Sequence, residues 1–453
     1  MSGKNQSTLQ REQWGSRIGF ILAAAGSAIG LGNIWRFPYL VGKNGGAAFV
    51  AVYLLISLFI GLPVMMAEFA IGRAAQKSPV MAFKALKVNP FWSVIGWLAV
   101  FAGGFFTLSF YNVVGGWTIK YMIASLTGLM DSAAAGQSGE VFGTFTNQSY
   151  QVVFFQVLFM ALTMMVVLGG VGKGIERACK VMMPALFVII TILIIRSVTL
   201  PGAGAGIEFY LKPDFSKLTG ATFLDALGQN FFSFSLGLGI MLTYGSYIGK
   251  EERLPSASLW TAALDTLIAL LAGFAIFPAV FAMGLEPGQG AGLSFVTLPA
   301  VFAKMPAGQV FSFLFFMLLF FAAITSAMSL FEVATAFGME RFNMTRNKAV
   351  WTMGIIILVL GVPSALSLTG SPTIHGKIFF DAVEYLCNNV LLPIGSLLVC
   401  VFVGWFWLQP ACDELTNGEK GVPTWLSLWI WCIRIIAPAA IAYIFVMGLK
   451  WAV

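Results

Sequence analysis

The stretch GSAIGLGNIWRFP, Gly26 to Pro38, lies inside the first long apolar segment of the chain, residues 14–41. Three of its first seven residues are glycines, and polar Asn33 and Arg36 follow them directly. Glycine weakens a helix and lets the backbone approach a ligand closely. Non-helical backbone at membrane depth is tolerated only where protein or a water-filled cavity surrounds it. The stretch therefore predicts a broken membrane helix that forms one half of a binding site.

The composition places the whole chain in a lipid bilayer. Of its 453 residues, 58% are hydrophobic and only 10% are charged, whereas soluble domains carry about 25% charged residues. The net charge of +7 fits loops that face an anionic leaflet, and no nucleic-acid motif accompanies it. His375 and the five cysteines show no metal-ligand spacing. We therefore predict neither an enzyme nor an organic cofactor nor a nucleic-acid partner.

Apolar segments of about 20 residues, the length that crosses a bilayer, recur along the chain. We predict eleven spans, at residues 14–41, 46–72, 90–124, 151–170, 175–200, 223–248, 257–284, 307–340, 348–369, 379–408 and 423–449. Lys and Arg are concentrated in the loops that share a face with the N-terminus, which predicts a cytoplasmic N-terminus. Eleven spans then place the C-terminus on the extracytoplasmic side.

A second glycine-rich stretch lies in the sixth predicted span. It reads GQNFFSFSLGLG, Gly228 to Gly239, and contains Ser233 and Ser235. A glycine-interrupted helix at the start of each half of the chain indicates an inverted-repeat transporter with a binding site at the bilayer midplane.

Polar residues deep in the apolar spans are candidate ion ligands. Asp265, in TAALDTLIAL, is the clearest, since an isolated carboxylate at this depth costs ~2.5–3.5 kcal/mol or more. Oxygen ligands of this kind suit hard cations such as sodium. The alternatives are an interhelical hydrogen bond or a neutral Asp265. For Thr325 and Ser326 alone, packing between spans is favoured, and for Tyr111 packing or interface anchoring is favoured on position alone.

Charged residues near the span ends are candidate gates. Arg36 with Glu384, and Arg11 with Glu340, could form ion pairs that close opposite ends of a pathway. For Arg11 and Glu340 the alternative is solvated loop charge, which contributes little to stability. The buried acid Glu68 is predicted to bind unwound backbone of the broken helices.

Six ordered motifs together resemble the neurotransmitter:sodium symporter family, and the resemblance covers nearly the whole chain. They are GSAIGLGNIWRFPYL, NGGAAF, GLPVMMAEFAIGR, LGQNFFSFSLGLG, TYGSY and FFAAITSAMSLFE. The resemblance, which is to the shorter bacterial branch, implies an all-α polytopic membrane protein of the LeuT fold in the bacterial inner membrane. It implies one transporter domain over residues 1–453, with inverted five-helix repeats at about 14–200 and 223–408 and an extra helix at about 423–449.

The resemblance also implies ligand sets for two sodium ions. The first ion would be bound by the Ala28 carbonyl with Asn33, Ser233 and Asp265. The second would be bound by the carbonyls of Gly26, Ile29 and Ala322 with the side chains of Thr325 and Ser326.

An α-amino acid substrate would lie beside the first ion. Its carboxylate would meet the amides of Leu31 and Gly32 and the Tyr111 hydroxyl. Its ammonium group would meet the carbonyls of Ala28, Phe232 and Ser233, and Ser235. Its side chain would contact Thr107, Tyr111, Phe232, Leu238, Ser326, Ser329 and Leu330. The outer gate would be Arg36 with Glu384, and the inner gate Arg11 with Glu340 near Trp14, Ser246 and Tyr247.

Two departures from the family pattern bear on function. Monoamine-transporting members carry Asp where this chain has Gly30, so an amino acid that brings its own carboxylate is the expected substrate. Animal members need chloride, whereas Asp265 supplies a fixed negative charge here and Ala269 replaces a chloride-binding hydroxyl. This chemistry predicts chloride independence.

We therefore predict sodium-coupled symport of neutral, mainly hydrophobic or aromatic L-amino acids by alternating access. Two alternatives stay open: a proton-coupled transporter in which Asp265 carries the proton, and a membrane amino-acid sensor that does not transport. The sequence makes no prediction about the oligomeric state.

Overall fold

The computed structural model describes residues 11–285, 293–374, 376–419 and 423–450. Nearly all of this chain is helical, because long apolar segments in a bilayer must satisfy their backbone hydrogen bonds internally. In the described ranges, strands occur in one antiparallel pair, Thr373–Ile374 with Lys377–Ile378. The prediction of an all-α polytopic membrane protein is confirmed.

Among the described residues, nine helical segments are long and apolar enough to cross a membrane. We number them with the two broken spans, 1 and 6, in chain order. They are span 2 (Ala47–Ala75), span 3 (Pro90–Ala124), span 4 (Ser149–Leu168), span 5 (Val171–Val198), span 7 (Leu254–Ala282), span 8 (Gly308–Arg341), span 9 (Arg346–Ser367), span 10 (Phe379–Phe406) and span 11 (Thr424–Met447). All nine lie where the sequence predicts spans.

Spans 1 and 6 are the interrupted ones. Span 1 consists of Arg17–Ala28 and Gly32–Lys43, which are bent by 51° at the break. Span 6 consists of Gly220–Ser233 and Ile240–Gly245, separated by six residues. These breaks fall in the two glycine-rich stretches, as predicted.

Short helices and turns connect the spans. They are Pro79–Ala85, Leu129–Ala134, Ser138–Asn147, Ala203–Leu211, Leu293–Ala303 and Leu408–Thr416, with single turns at Pro90–Trp92 and Phe215–Lys217. Span 5 begins in a π-helical turn, Val171–Glu176, and its helix then continues through Pro184. The helix is therefore continuous from Val171 to Val198.

Burial differs strongly between the spans. The most apolar windows of spans 3 and 8 are 67% and 61% buried, but that of span 11 is 28% buried. Span 8 contains an uninterrupted buried stretch, Ala322–Gly338. Spans 3 and 8 are therefore largely enclosed by the bundle, while broken span 1 packs mainly on span 7 and broken span 6 mainly on span 2. We call the end of the bundle with Arg11 and Glu340 the Arg11 face, and the opposite end, where span 1 reaches Arg36, the Arg36 face.

Candidate substrate and ion site

A small cavity lies between the two breaks. Its lining is Ser27, Ala28, Gly30, Gly32, Thr107, Tyr111, Phe232, Ser235, Leu238, Ile240, Ser326 and Leu330. Nine of these are residues that the resemblance places in a substrate pocket. Ser27, Gly30 and Ile240 are missing from that set of predicted contacts, although Gly30 was singled out for the acid that it lacks, and Ser27 and Ile240 each directly follow a glycine of a broken stretch.

Three predicted pocket residues do not line this cavity. Ser233 turns towards Asp265 instead. Leu31 contributes its backbone, because its amide donates to the Tyr111 hydroxyl over 3.4 Å. The hydroxyl of Ser329 bonds the Thr325 carbonyl at 2.9 Å and lies 2.7 Å from that of Tyr244.

The break of span 1 leaves backbone amides that side chains satisfy. The Gly30 amide donates to Asn33 Oδ1 over 3.1 Å, and Tyr111, only 4% exposed, reaches the neighbouring Leu31 amide. Tyr111 therefore belongs to the cavity rather than to a lipid interface. A Cβ atom at Gly30 would lie 2.6 Å from Ser326 Oγ and 3.2 Å from Tyr111 Oη. Glycine at this position keeps that space open.

Asp265 lies at the centre of a buried polar cluster beside the cavity. Asn33 Nδ2 donates to Asp265 Oδ1 over 2.8 Å, and Ser233 Oγ donates to Asp265 Oδ2 over 2.9 Å. A further hydrogen bond of 3.0 Å joins Asn33 Nδ2 to Ser233 Oγ. The three side chains come from spans 1, 6 and 7, so this contact joins both halves of the chain.

The chemistry of this cluster fits a monovalent cation. Within the described residues, Asp265 makes no ion pair with Lys or Arg, and both of its hydrogen-bond donors are neutral. No group of three or more His, Cys, Asp or Glu that could hold a metal ion occurs in the part of the chain that the structure describes. One carboxylate among neutral oxygens is a hard ligand set of low charge, which suits sodium better than a divalent transition metal.

The ligands predicted for a second ion lie between spans 1 and 8. Ser326 Oγ donates to the Ser27 carbonyl over 2.9 Å and so joins the two spans. Thr325 Oγ1 instead bonds carbonyls of its own helix, those of Phe321 and Ala322, at 2.9 and 3.1 Å. Serine and threonine commonly make this local bond inside helices. The structure thus joins only part of this predicted set.

The break of span 6 is supported from span 2. Glu68, which is 1% exposed, accepts a hydrogen bond of 2.8 Å from the Gly237 amide. This confirms the prediction that Glu68 binds unwound backbone. Ser235 Oγ donates to the Ser27 carbonyl over 3.3 Å, so the two breaks also contact each other directly.

The residues predicted as the inner gate come together at the Arg11 face. Arg11 pairs with Glu340, donates to Ser246 Oγ over 2.5 Å and lies 4.4 Å from the ring centroid of Tyr247. Trp14 Nε1 donates to the Tyr244 carbonyl over 3.1 Å. The contacts tie the start of span 1 to spans 6 and 8, which excludes the alternative of a solvated loop charge for Arg11.

A second charged network at this face was missed by sequence reasoning. Glu332 accepts hydrogen bonds from Tyr247 Oη at 2.6 Å and from Arg346 at 2.8 and 2.9 Å. Arg346 also donates to Glu12 Oε1 over 3.0 Å. Glu332 is fully buried within apolar span 8, so the rule that singled out Asp265 could also have found it.

The predicted outer pair, Arg36 with Glu384, is not joined in this structure. Arg36 donates instead to Gln229 Oε1 over 3.2 Å and lies 5.7 Å from the ring centroid of Phe232. Glu384 accepts a long bond of 3.5 Å from Asn388. A cavity whose lining includes Arg36, Tyr385 and Asn388 lies at this face. The sequence contained Gln229 in its second broken stretch but gave it no role.

Similarity to known proteins extends over nearly the whole chain. The profile of the "Sodium:neurotransmitter symporter family" matches residues 11–139 and 142–452. The sodium-dependent transporter YhdH of Bacillus subtilis is 40% identical over 436 residues, which cover 96% of each protein. A sodium-dependent transporter of Haemophilus influenzae is 37% identical over 453 residues, covering 97% of this chain and 98% of the relative.

Similarity to a solved structure is equally extensive. The crystal structure of MhsT in complex with L-phenylalanine superposes with a TM-score of 0.89 at 46% sequence identity. The match covers 97% of this chain and the whole of that chain, including both broken spans.

Proposed function

The chain belongs to the sodium:neurotransmitter symporter family, and from this premise we propose that it imports neutral, mainly hydrophobic or aromatic L-amino acids together with sodium. The protein is a multi-pass membrane transporter rather than an enzyme. Its similarity to MhsT confirms the LeuT fold. The observation that carries the proposal is the cavity between the two breaks, which adjoins the Asp265 cluster.

An amino acid would be bound by groups that the breaks expose. The amides at Leu31 and Gly32 begin the second half-helix of span 1, where the helix dipole favours a carboxylate. The Tyr111 hydroxyl, already bonded to the Leu31 amide, would be the side-chain partner of that carboxylate. Carbonyls at Ala28, Phe232 and Ser233, and Ser235, would take the ammonium group.

The lining supports an apolar substrate side chain. Leu238, Ile240, Leu330 and Phe232 form an apolar wall, and the polar side chains of the lining are all neutral hydroxyls: Ser27, Thr107, Tyr111, Ser235 and Ser326. Gly30 supplies no acid, so the carboxylate must come from the substrate itself. The similar protein MhsT was crystallised with L-phenylalanine, which has both features that this lining requires.

Two sodium ions are proposed as the driving ions. The first would lie at Ala28, Asn33, Ser233 and Asp265, and the second at Gly26, Ile29, Ala322, Thr325 and Ser326. An ion that also touches the substrate carboxylate makes the binding of ion and substrate mutually favourable. Two charges moving through 100 mV release ~4.6 kcal/mol, enough for roughly a thousandfold accumulation. Asp265 and the buried Ala269 favour chloride-independent coupling.

Alternating access would use the two faces in turn. The Arg11–Glu340 pair closes one end, and Arg36 with Glu384 would close the other after substrate enters. We place the Arg11 face in the cytoplasm of a bacterial cell and the C-terminus outside. The proposed unit is one domain over residues 1–453, with repeats at about 14–200 and 223–408 and an extra helix at about 423–449.

Uptake by proteoliposomes tests the proposal. Labelled L-phenylalanine and L-leucine should accumulate with an inward sodium gradient, and gluconate should replace chloride without loss. Potassium in place of sodium at fixed pH should abolish uptake; full uptake driven by protons alone would overturn sodium coupling. Sodium-dependent binding without counterflow would indicate a sensor instead. Competition of labelled L-leucine uptake by each of the twenty amino acids then ranks the substrates.

A further inference from the structure

A second, narrow cleft lies away from the substrate site, between spans 5, 7 and 8 and the short helix Leu293–Ala303. Its walls are almost entirely apolar. Among the residues that line the cleft are Ala275, Ala279, Phe302, Phe311, Arg196 and Ser197. Arg196 is thus the one cation among the described residues of this lining.

Arg196 has no acidic partner among the described residues. Its guanidinium makes no ion pair or side-chain hydrogen bond there, and its Nε is buried without an acceptor. The guanidinium lies over the ring of Phe311, and the distance from Cζ to the ring centroid is 5.7 Å. A cation–π contact of this kind leaves the N–H donors unsatisfied. A buried donor without an acceptor is costly.

Ser197 supplies an independent second observation. It is 2% exposed, it lines the same cleft, and its hydroxyl has no hydrogen-bond partner in the described part of the chain. Arg196 and Ser197 therefore present neighbouring donors that lack an acceptor, in a cleft whose other walls are apolar. This combination matches a ligand with an anionic head and an apolar body.

The cleft lies near the end of a membrane-spanning helix, where lipid headgroups are expected. Arg196 is two residues from the end of span 5 at Val198, on the Arg36 face of the bundle. The large residues beside its opening face outwards: Ile195 is 59% exposed and Val310 is 55% exposed. An arginine at a span end surrounded by lipid-facing side chains is well placed to meet a phosphate at the interface.

We propose that this cleft binds one anionic phospholipid. Its phosphate accepts hydrogen bonds from the Arg196 guanidinium and the Ser197 hydroxyl, and an acyl chain lies along Ala275, Ala279 and Phe311. The bound lipid would connect the outer end of span 5 to spans 7 and 8. Because span 7 contains Asp265 and span 8 contains Thr325, the lipid would bridge elements that also build the ion sites.

Native mass spectrometry of the full-length protein tests this site without requiring transport. Delipidated protein is titrated with phosphatidylglycerol or with phosphatidylcholine of the same acyl chains. The wild-type chain should retain one phosphatidylglycerol in preference to phosphatidylcholine. Arg196→Gln should weaken that binding by about 10- to 100-fold, the loss expected for charge-assisted hydrogen bonds. Arg196→Lys should bind phosphatidylglycerol with an affinity between those of the wild type and Arg196→Gln, since lysine keeps the charge but cannot make the planar two-point contact.

Two further variants make the result specific. Ala275→Phe fills the cleft while keeping the charge, and should also lower lipid retention. Lys212→Gln removes an exposed charge near the same face and should leave retention unchanged. Thermal unfolding in detergent checks that each variant is folded.

Three results would overturn the proposal. They are undiminished phosphatidylglycerol retention by folded Arg196→Gln, equal retention of phosphatidylcholine by the wild type, and displacement of the lipid by millimolar inorganic phosphate. The last would identify a simple anion site. None of these outcomes depends on whether the protein carries amino acids.

Discussion

The two breaks in the helix bundle use glycine for different reasons. Span 1 is interrupted for three residues, Ile29 to Leu31, and no residue there has a positive φ. Span 6 is interrupted for six residues, and Ser235, Gly237 and Gly239 have φ of 53°, 74° and 73°. The first break therefore needs glycine for space alone, whereas the second needs it for backbone conformation as well as for space.

The contacts of the two breaks differ in the same way. Cβ atoms at Gly30 and Gly32 would come within 2.6 Å of Ser326 Oγ and 2.7 Å of Phe232, both of which line the cavity. The Gly237 amide instead donates a hydrogen bond to Glu68, which does not line the cavity. The second break also contributes Ser235 and Leu238 to the cavity, but its Gly237 amide is supported from outside the cavity. Substitution of Gly30 should therefore affect binding, and loss of the Glu68 support should affect mainly stability.

Gly30→Asp should cause the largest effect. The new side chain would occupy space next to Ser326 and Tyr111 and place a carboxylate where that of the substrate belongs. Like charges at this distance in a buried site repel strongly, so sodium-dependent binding of labelled L-phenylalanine should fall by more than about 100-fold. Gly204→Asp is the matched control, because nothing lies within 4 Å of a Cβ there. Retained phenylalanine affinity in Gly30→Asp would contradict the assignment of the site.

Asp265→Ala should weaken sodium binding by about 10- to 100-fold, since it removes the charged acceptor of both Asn33 and Ser233. The measurement is the sodium concentration that gives half-maximal amino-acid binding. Asp214→Asn removes an exposed carboxylate and should leave that concentration unchanged. An unchanged sodium requirement in Asp265→Ala would argue against an ion at this cluster.

Glu68→Ala should act mainly on stability. Removing the acceptor leaves the buried Gly237 amide unsatisfied, at a cost of ~1–3 kcal/mol in the free energy of unfolding. Glu68→Gln keeps an acceptor oxygen and should lose less. Thermal unfolding of both variants in the same detergent gives the difference. If Glu68→Ala lost substrate affinity at full stability, the two breaks would not differ in the way described.

Glu384→Gln should have the smallest effect on binding. Because Glu384 makes no ion pair with Arg36 here, substrate affinity at equilibrium should stay within about threefold of the wild type. Uptake through a full cycle should fall further, since closure at the Arg36 face would lack its acid. A large loss of equilibrium affinity would mean that the pair already forms in the binding state.

Much of this arrangement could be predicted from the sequence. Long apolar segments and rare charges are strong local signals in a membrane protein, so the spans, both breaks and Asp265 were found from residue types alone. The meeting of Asn33, Ser233 and Asp265 required the family resemblance, because these positions are more than 30 and up to 232 residues apart.

The contacts that the sequence did not indicate are ones that residue spacing does not encode. Gln229 replaces Glu384 as the partner of Arg36, at a face where Arg36 lines a cavity. The network of Glu332, Arg346 and Glu12 joins three distant segments. Partner choice of this kind depends on three-dimensional packing and on which face is closed.

The unequal ends of the bundle have a pharmacological consequence. The cavity at the Arg36 face presents Arg36, Lys43, Asp225 and Lys377. At the Arg11 face, the Arg11–Glu340 ion pair instead joins the start of the chain to span 8. A bulky, membrane-impermeant zwitterion could therefore reach the protein from one side only. Sidedness of blockade by such a compound would report which way the transporter is oriented in a vesicle, without any label on the protein.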